Sequence, residues 1–106
     1  MKPGGQYRKG VAKERWLIKQ FYESGAALSF RSAGSHSPVD VIGISENCVE
    51  LVQCKACPTR PPKEEYDKAQ RLSSKIRCAS VSLWWFKGKG DIEVTRWIHG
   101  KEERRK

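Results

Sequence analysis

The stretch Val39-Asp40-Val41-Ile42-Gly43-Ile44-Ser45-Glu46-Asn47-Cys48-Val49-Glu50-Leu51-Val52-Gln53-Cys54-Lys55 reads as two strands joined by a tight turn. Apolar and β-branched residues fill 39–44 and 48–55, and Ser45-Glu46-Asn47 supplies the polar break between them. Side chains alternate along a strand, so Gln53 and Lys55 share one face while Val52 and Cys54 share the other. Asp40 stands where the first strand enters, across the hairpin from that polar pair. Taken singly, Asp40 is an ordinary turn aspartate. Gln53 and Lys55, taken singly, are the wet face of an edge strand. Together they form a polar cluster that is costly to bury without a purpose.

Working outward, Leu17, Ile18 and Phe21 have helical spacing within residues 11–23, and Ser24-Gly25 ends that helix. Glu14 falls on the same stripe, so a carboxylate points at the core side and needs a cation to meet. Residues 26–30 form a short strand, followed by a Ser- and Gly-rich loop over 31–38. Pro58, Pro61 and Pro62 break the chain before a polar helix over 64–76. Residues 81–86 and 92–98 are strands around the turn Lys87-Gly88-Lys89-Gly90-Asp91. The order α-β-β-β-α-β-β predicts one α/β domain over 1–106, a mixed central β-sheet flanked by helices. The basic, Gly-rich start (residues 1–10, and 1–6 above all) and the tail 101–106 read as mobile, solvated charge.

The 106 residues leave room for a single core, and the mix of apolar and charged residues fits neither a disordered chain nor a membrane span. No apolar stretch follows Met1, so no secretory signal is expected and the protein reads as cytoplasmic (host-cell cytoplasm for a viral source). Twenty-one Lys and Arg against 12 Asp and Glu give a net charge of +9, the footprint of a polyanionic partner. With no basic amphipathic helix or lipidation site to favour a membrane, nucleic acid leads. Cys54-Lys55-Ala56-Cys57 has zinc-knuckle spacing but no second pair, and a strand aims Cys54 away from Cys57. Cys48, Cys54, Cys57 and Cys78 are therefore expected to be reduced thiols.

An acidic residue at a strand entry, followed across a hairpin by a polar residue and then a lysine two positions on, matches the PD-(D/E)xK arrangement of metal-dependent nucleases. Mg²⁺, or Mn²⁺ in its place, prefers oxygen ligands, and Asp40, the Gln53 side-chain carbonyl and Glu14 are the candidates. Such a cation polarises a phosphate oxygen and lowers the pKa of water, and Lys55 is placed to orient the attack or stabilise the developing charge.

The runs Tyr7-Arg8-Lys9-Gly10, Glu14-Arg15, Phe30-Arg31-Ser32-Ala33-Gly34-Ser35 and Val39-Asp40 resemble the archaeal-type Holliday junction resolvases, with the match dense over residues 7–57. The resemblance implies a restriction-endonuclease-like core and a homodimer that nicks opposing strands of a four-way DNA junction symmetrically. It implies catalytic roles for Glu14, Asp40, Lys55, Ser35 and the position of Gln53. It also puts Arg15, Arg31 and Ser35 beside the scissile phosphate or the metal, and makes Arg8, Lys9 and Ser32 DNA contacts. The family usually has Glu where this chain has Gln53, so weaker Mg²⁺ affinity is expected. Arg31 has the planar fork that clamps phosphate, and His36 in the same loop is a further candidate DNA contact. Lys87 and Lys89 read equally as backbone contacts or as solvated charge. Trp84, Trp85 and Phe86 put large rings on both faces of one strand, suiting either a central strand or a face completed by a second subunit. The rival readings are a related nuclease acting on other branched or duplex DNA, and a noncatalytic basic DNA-binding module.

Overall fold

In the computed structural model, which describes residues 3–32 and 39–103 and the side chains from Val11 onward, one sheet runs through the molecule. The elements are α1 (Pro3–Glu23), β1 (Leu28–Arg31), β2 (Val41–Ile44), β3 (Val49–Ala56), α2 (Lys63–Ser74), β4 (Ala79–Gly88), β5 (Asp91–Ile98) and β6 (Lys101–Glu103). The six strands lie in sequence order, and every neighbouring pair is antiparallel except β3 and β4. A parallel pair cannot be closed by a hairpin, so the chain crosses over through α2. This is the mixed α/β sheet expected. Among the described residues no helix is long and apolar enough to cross a membrane.

Each face has its own core. On one, Leu17 of α1 is sealed against Val41 and Val52, with Ile18, Phe21, Cys54 and Trp84 around them. On the other, Ala69 of α2 packs with Val81, Leu83, Trp85 and Trp97, joined by Leu51, Cys57, Tyr66 and Leu72. Cys54 and Cys57 thus belong to opposite faces, and all four cysteines are free thiols. Trp85 and Phe86 are buried by their own chain, so they are not rings left for a second subunit to cover. The Trp85 indole donates to the Cys57 carbonyl at 2.8 Å, and Phe86 meets Trp16 edge-on at 5.9 Å between ring centroids. Glu50 is buried on the α1 side, where it accepts from Ser82 Oγ and from Arg96 Nη2, both at 2.9 Å. Arg96 reaches on to Glu103 of β6 at 3.4 Å.

Three of the differences from the sequence reading have a clear physical cause. Helix α1 starts at Pro3 rather than at residue 11: proline suits a first helical position, while Gly4-Gly5 is weak helix sequence that hid the extension. Residues 101–103 form a strand rather than a loose tail, because His99 and Gly100 (φ 48° and 82°) make the left-handed two-residue turn that folds β6 back on β5. Strand β2 starts at Val41 and not at residue 39, since Asp40 leaves the ladder.

Gly43 faces α1 directly beneath the ring of Phe21, and a Cβ there would come within 3.0 Å of two ring carbons. Gly43→Ala is expected to destabilise the fold by about 1–3 kcal/mol through overpacking. Urea denaturation checks this as a lower midpoint at unchanged slope. A Gly43→Ala/Phe21→Leu double variant should lose less than the two single losses combined, because the smaller side chain vacates the space.

Candidate active site

Strand β3 outruns its neighbour. Val41 is the first β2 residue in register, opposite Val52, whereas β3 continues to Ala56 with β4 on its far side. The backbone of residues 53–56 therefore loses its β2 partner, and its N–H groups need acceptors. Asp40 supplies one: its Oδ2 accepts from Cys54 N at 2.8 Å, and its own N–H donates to the Val52 carbonyl at 2.7 Å. The carboxylate is held by backbone at the mouth of the gap, so its position does not depend on a flexible partner. Ser32 N donates to the Asp40 carbonyl at 2.9 Å, tying the end of β1 to the same point.

Two groups of side chains flank Asp40. On the α1 side, Arg31 Nε donates to Glu14 Oε1 at 2.7 Å, with the Glu14 side chain only 16% exposed. The cation that the core-side carboxylate required is Arg31. On the α2 side, Lys55 Nζ lies 2.5 Å from Glu65 Oε1, and Gln53 Nε2 donates to the same oxygen at 3.5 Å. Gln53 and Lys55 do share a face, as alternation predicted, but the Gln53 amide turns to Glu65 rather than to Asp40. Arg15 is exposed on α1. Ser35 and His36 lie outside the described residues, as do the side chains of Arg8 and Lys9.

Burial raises the Asp40 pKa above the ordinary aspartate value. The Cys54 N–H opposes the rise, the Glu14 carboxylate adds to it, and Lys55 and Arg31 oppose it. A half-buried carboxylate beside a second carboxylate is the donor chemistry that a hard dication relieves, so Asp40 and Glu14 fit a divalent metal. Among the described residues, no three Asp, Glu, His or Cys side chains already converge on a metal position. Burial, followed by Asp40 and Glu14, pushes the Cys54 thiol far above its ordinary value, so it is no nucleophile. A groove of about 570 Å³ lies elsewhere, between α1 and β4–β5, and none of Glu14, Asp40, Gln53 or Lys55 lines it.

Glu65 is the member that sequence reasoning missed. Acidic residues are usual in a first helical turn, where they complement the dipole, so Glu64 and Glu65 carry no distinguishing signal in the sequence. Only the docking of α2 over β4 and β5, which brings its first turn to Lys55 of β3, reveals the contact. Lys87 spends its charge at home, 3.2 Å from Glu93 and 4.7 Å above the Trp85 ring.

Folding raises the Asp40 pKa, so the folded chain binds this proton more tightly than the unfolded chain does. Stability from this group is full below the ordinary value of 3.8 and is lost as pH rises through the folded pKa. Asp40→Asn keeps an acceptor for Cys54 N–H and removes the charge. Melting curves from about pH 3 to about pH 7 should show the variant's Tm rising above wild type as aspartate ionises. A gap that does not grow with pH would refute the assignment.

A family model described as archaeal Holliday junction resolvase matches residues 5–94. No curated protein and no solved structure matches the chain at a significant level.

Proposed function

We propose, from the premise that this chain belongs to the archaeal Holliday junction resolvase family, that it cuts four-way DNA junctions by metal-dependent phosphodiester hydrolysis at the Asp40 site. The observation that carries the reading is Asp40 itself. Its carboxylate is pinned by Cys54 N–H where β3 outruns β2, with Glu14 and Lys55 close enough to influence its ionisation. Asp40 and Glu14 are the residues that would hold Mg²⁺ or Mn²⁺, with the Gln53 carbonyl as a neutral third donor after an amide rotation. When bound, the cation activates water and offsets charge on the phosphate.

The chain's own groups do the rest. Lys55, from the end of β3 that outruns β2, orients the attacking water or stabilises charge growing on the phosphate oxygens. Arg31 fixes the Glu14 carboxylate through Nε, and its planar guanidinium is the group this reading sets beside the phosphate. Arg15, Ser32, Ser35, His36, Arg8 and Lys9 extend the contact along the backbone. The net charge of +9 draws the junction in, and that attraction weakens as salt rises. Cutting two opposing strands symmetrically calls for two such sites, and a homodimer acting in the cytoplasm supplies them.

The test is cleavage of a labelled four-way junction against a linear duplex of the same sequence, with Mg²⁺ and with EDTA. Paired nicks confined to the junction, lost in EDTA, are expected. In Asp40→Ala, cleavage falls to the EDTA background while junction binding persists. Cleavage of both substrates would replace junction specificity with a general nuclease. Binding without cleavage by the wild type would mean that the neutral Gln53 has left a DNA-binding module.

A further inference from the structure

We propose that Cys48 and Cys78 are a redox pair, which a small-molecule disulfide converts into one intramolecular disulfide stapling the start of β3 to the start of β4. The parallel register begins with Val49 opposite Ala79, and the two cysteines are the residues immediately before those partners. One step outward along the same register sets them side by side. Glu50 and Ser80 are partners two positions further in, so alternation carries both cysteine side chains to the α1 face, where Glu50 lies. A second observation agrees: Cys48 and Cys78 line one groove of about 480 Å³, together with Glu50, Ser80 and Arg96. Both are exposed free thiols, open to a reagent in solution.

The spacing suits the bond. Neighbouring strands lie about 4.8 Å apart, and a disulfide bridges Cα atoms about 4.4–6.8 Å apart. The other two cysteines are unsuited to it. Cys54 and Cys57 pack on opposite faces of the sheet, burial holds the Cys54 thiol protonated, and Cys57 Sγ donates to the Thr59 carbonyl at 3.2 Å. The CxxC spacing in the sequence thus points to the wrong pair, while the matched pair is separated by the whole of α2 and meets only through the parallel crossover. In the reaction, one cysteine attacks as thiolate on the small disulfide, breaking its S–S bond and releasing one small thiol. The second cysteine then displaces the other small thiol from the mixed disulfide. The two protein thiols lose two electrons and two protons, and the reagent is reduced to two thiols. The closed loop runs from Cys48 to Cys78, so the bond restricts the unfolded chain and favours the fold. The pair sits at the end of β3 remote from Asp40, and the proposal does not depend on the nuclease reading.

The experiment treats the full chain with oxidised glutathione and compares it with the same chain in a reducing agent, by intact mass, peptide mapping and melting curve. The expected product is a monomer lighter by two hydrogens, with the Cys48 and Cys78 peptides joined and Cys54 and Cys57 still thiols. Its Tm should exceed that of the reduced chain by about 5 °C or more. Cys48→Ser, a change at an exposed position, should instead keep one glutathione on Cys78 and gain no such increase. Glutathione retained on both Cys48 and Cys78 of the wild type would overturn the proposal, because neighbouring thiols would have displaced it. A covalent dimer, a bond involving Cys54 or Cys57, or an oxidised Tm no higher than the reduced one would overturn it too.

Discussion

The parallel pairing of β3 with β4, in register from Val49 opposite Ala79 to Ala56 opposite Phe86, is the constraint on which the rest depends. Parallel strands must be joined end to start, so the chain has to leave β3 at its C-terminal end, travel the length of the sheet and re-enter at β4. That return is α2, and its packing covers one face. The opposite face then requires its own cover, which α1 supplies through Leu17. Because β2 stops short while β3 runs on with β4, the sheet opens at one end. The open end is where Asp40, Glu14 and Lys55 come together. The chemistry proposed for this end follows from how the sheet is closed.

Much of this was legible in the chain because it rests on short-range periodicity. Alternation with a period of two placed Gln53 and Lys55 on one face and Cys54 on the other. Helical spacing put Glu14 on the stripe of Leu17 and Phe21. The left-handed turn at Lys89-Gly90 falls inside the break read over 87–91. What stayed hidden depends on distant packing or on weak local signal. The Glu65 contact requires the docking angle of α2. Strand β6 is three charged residues with no alternation, held only by its turn and its partner. The departure of Asp40 from the ladder is a matter of which backbone donors β2 leaves unmet. The two rings Trp85 and Phe86 announced burial but not by whom, and the chain itself buries both.

The same opening carries a cost. A carboxylate that burial and a neighbouring carboxylate both push toward protonation is a poor choice for stability, and it sits where the β3 backbone holds it. Such a departure from local consistency accords with the role proposed for Asp40. Around it the protein is conventional: apolar residues alternate inward, and the long side chains of Arg60 and Lys87 lie over the Tyr66 and Trp85 rings.

The buried ion pair of Glu50 and Arg96 has a bearing on how the sheet chooses one alignment. Glu50 belongs to β3, Ser82 to β4, Arg96 to β5 and Glu103 to β6, so one polar chain crosses four consecutive strands. A slip of any strand by a single residue turns its side chains to the opposite face. A slip would strand Glu50 or Arg96 as an uncompensated charge in the interior, at about 3–5 kcal/mol. Apolar residues tolerate a shifted neighbour of similar size, but this chain of partners does not. It works as a key that fits one arrangement of the four strands.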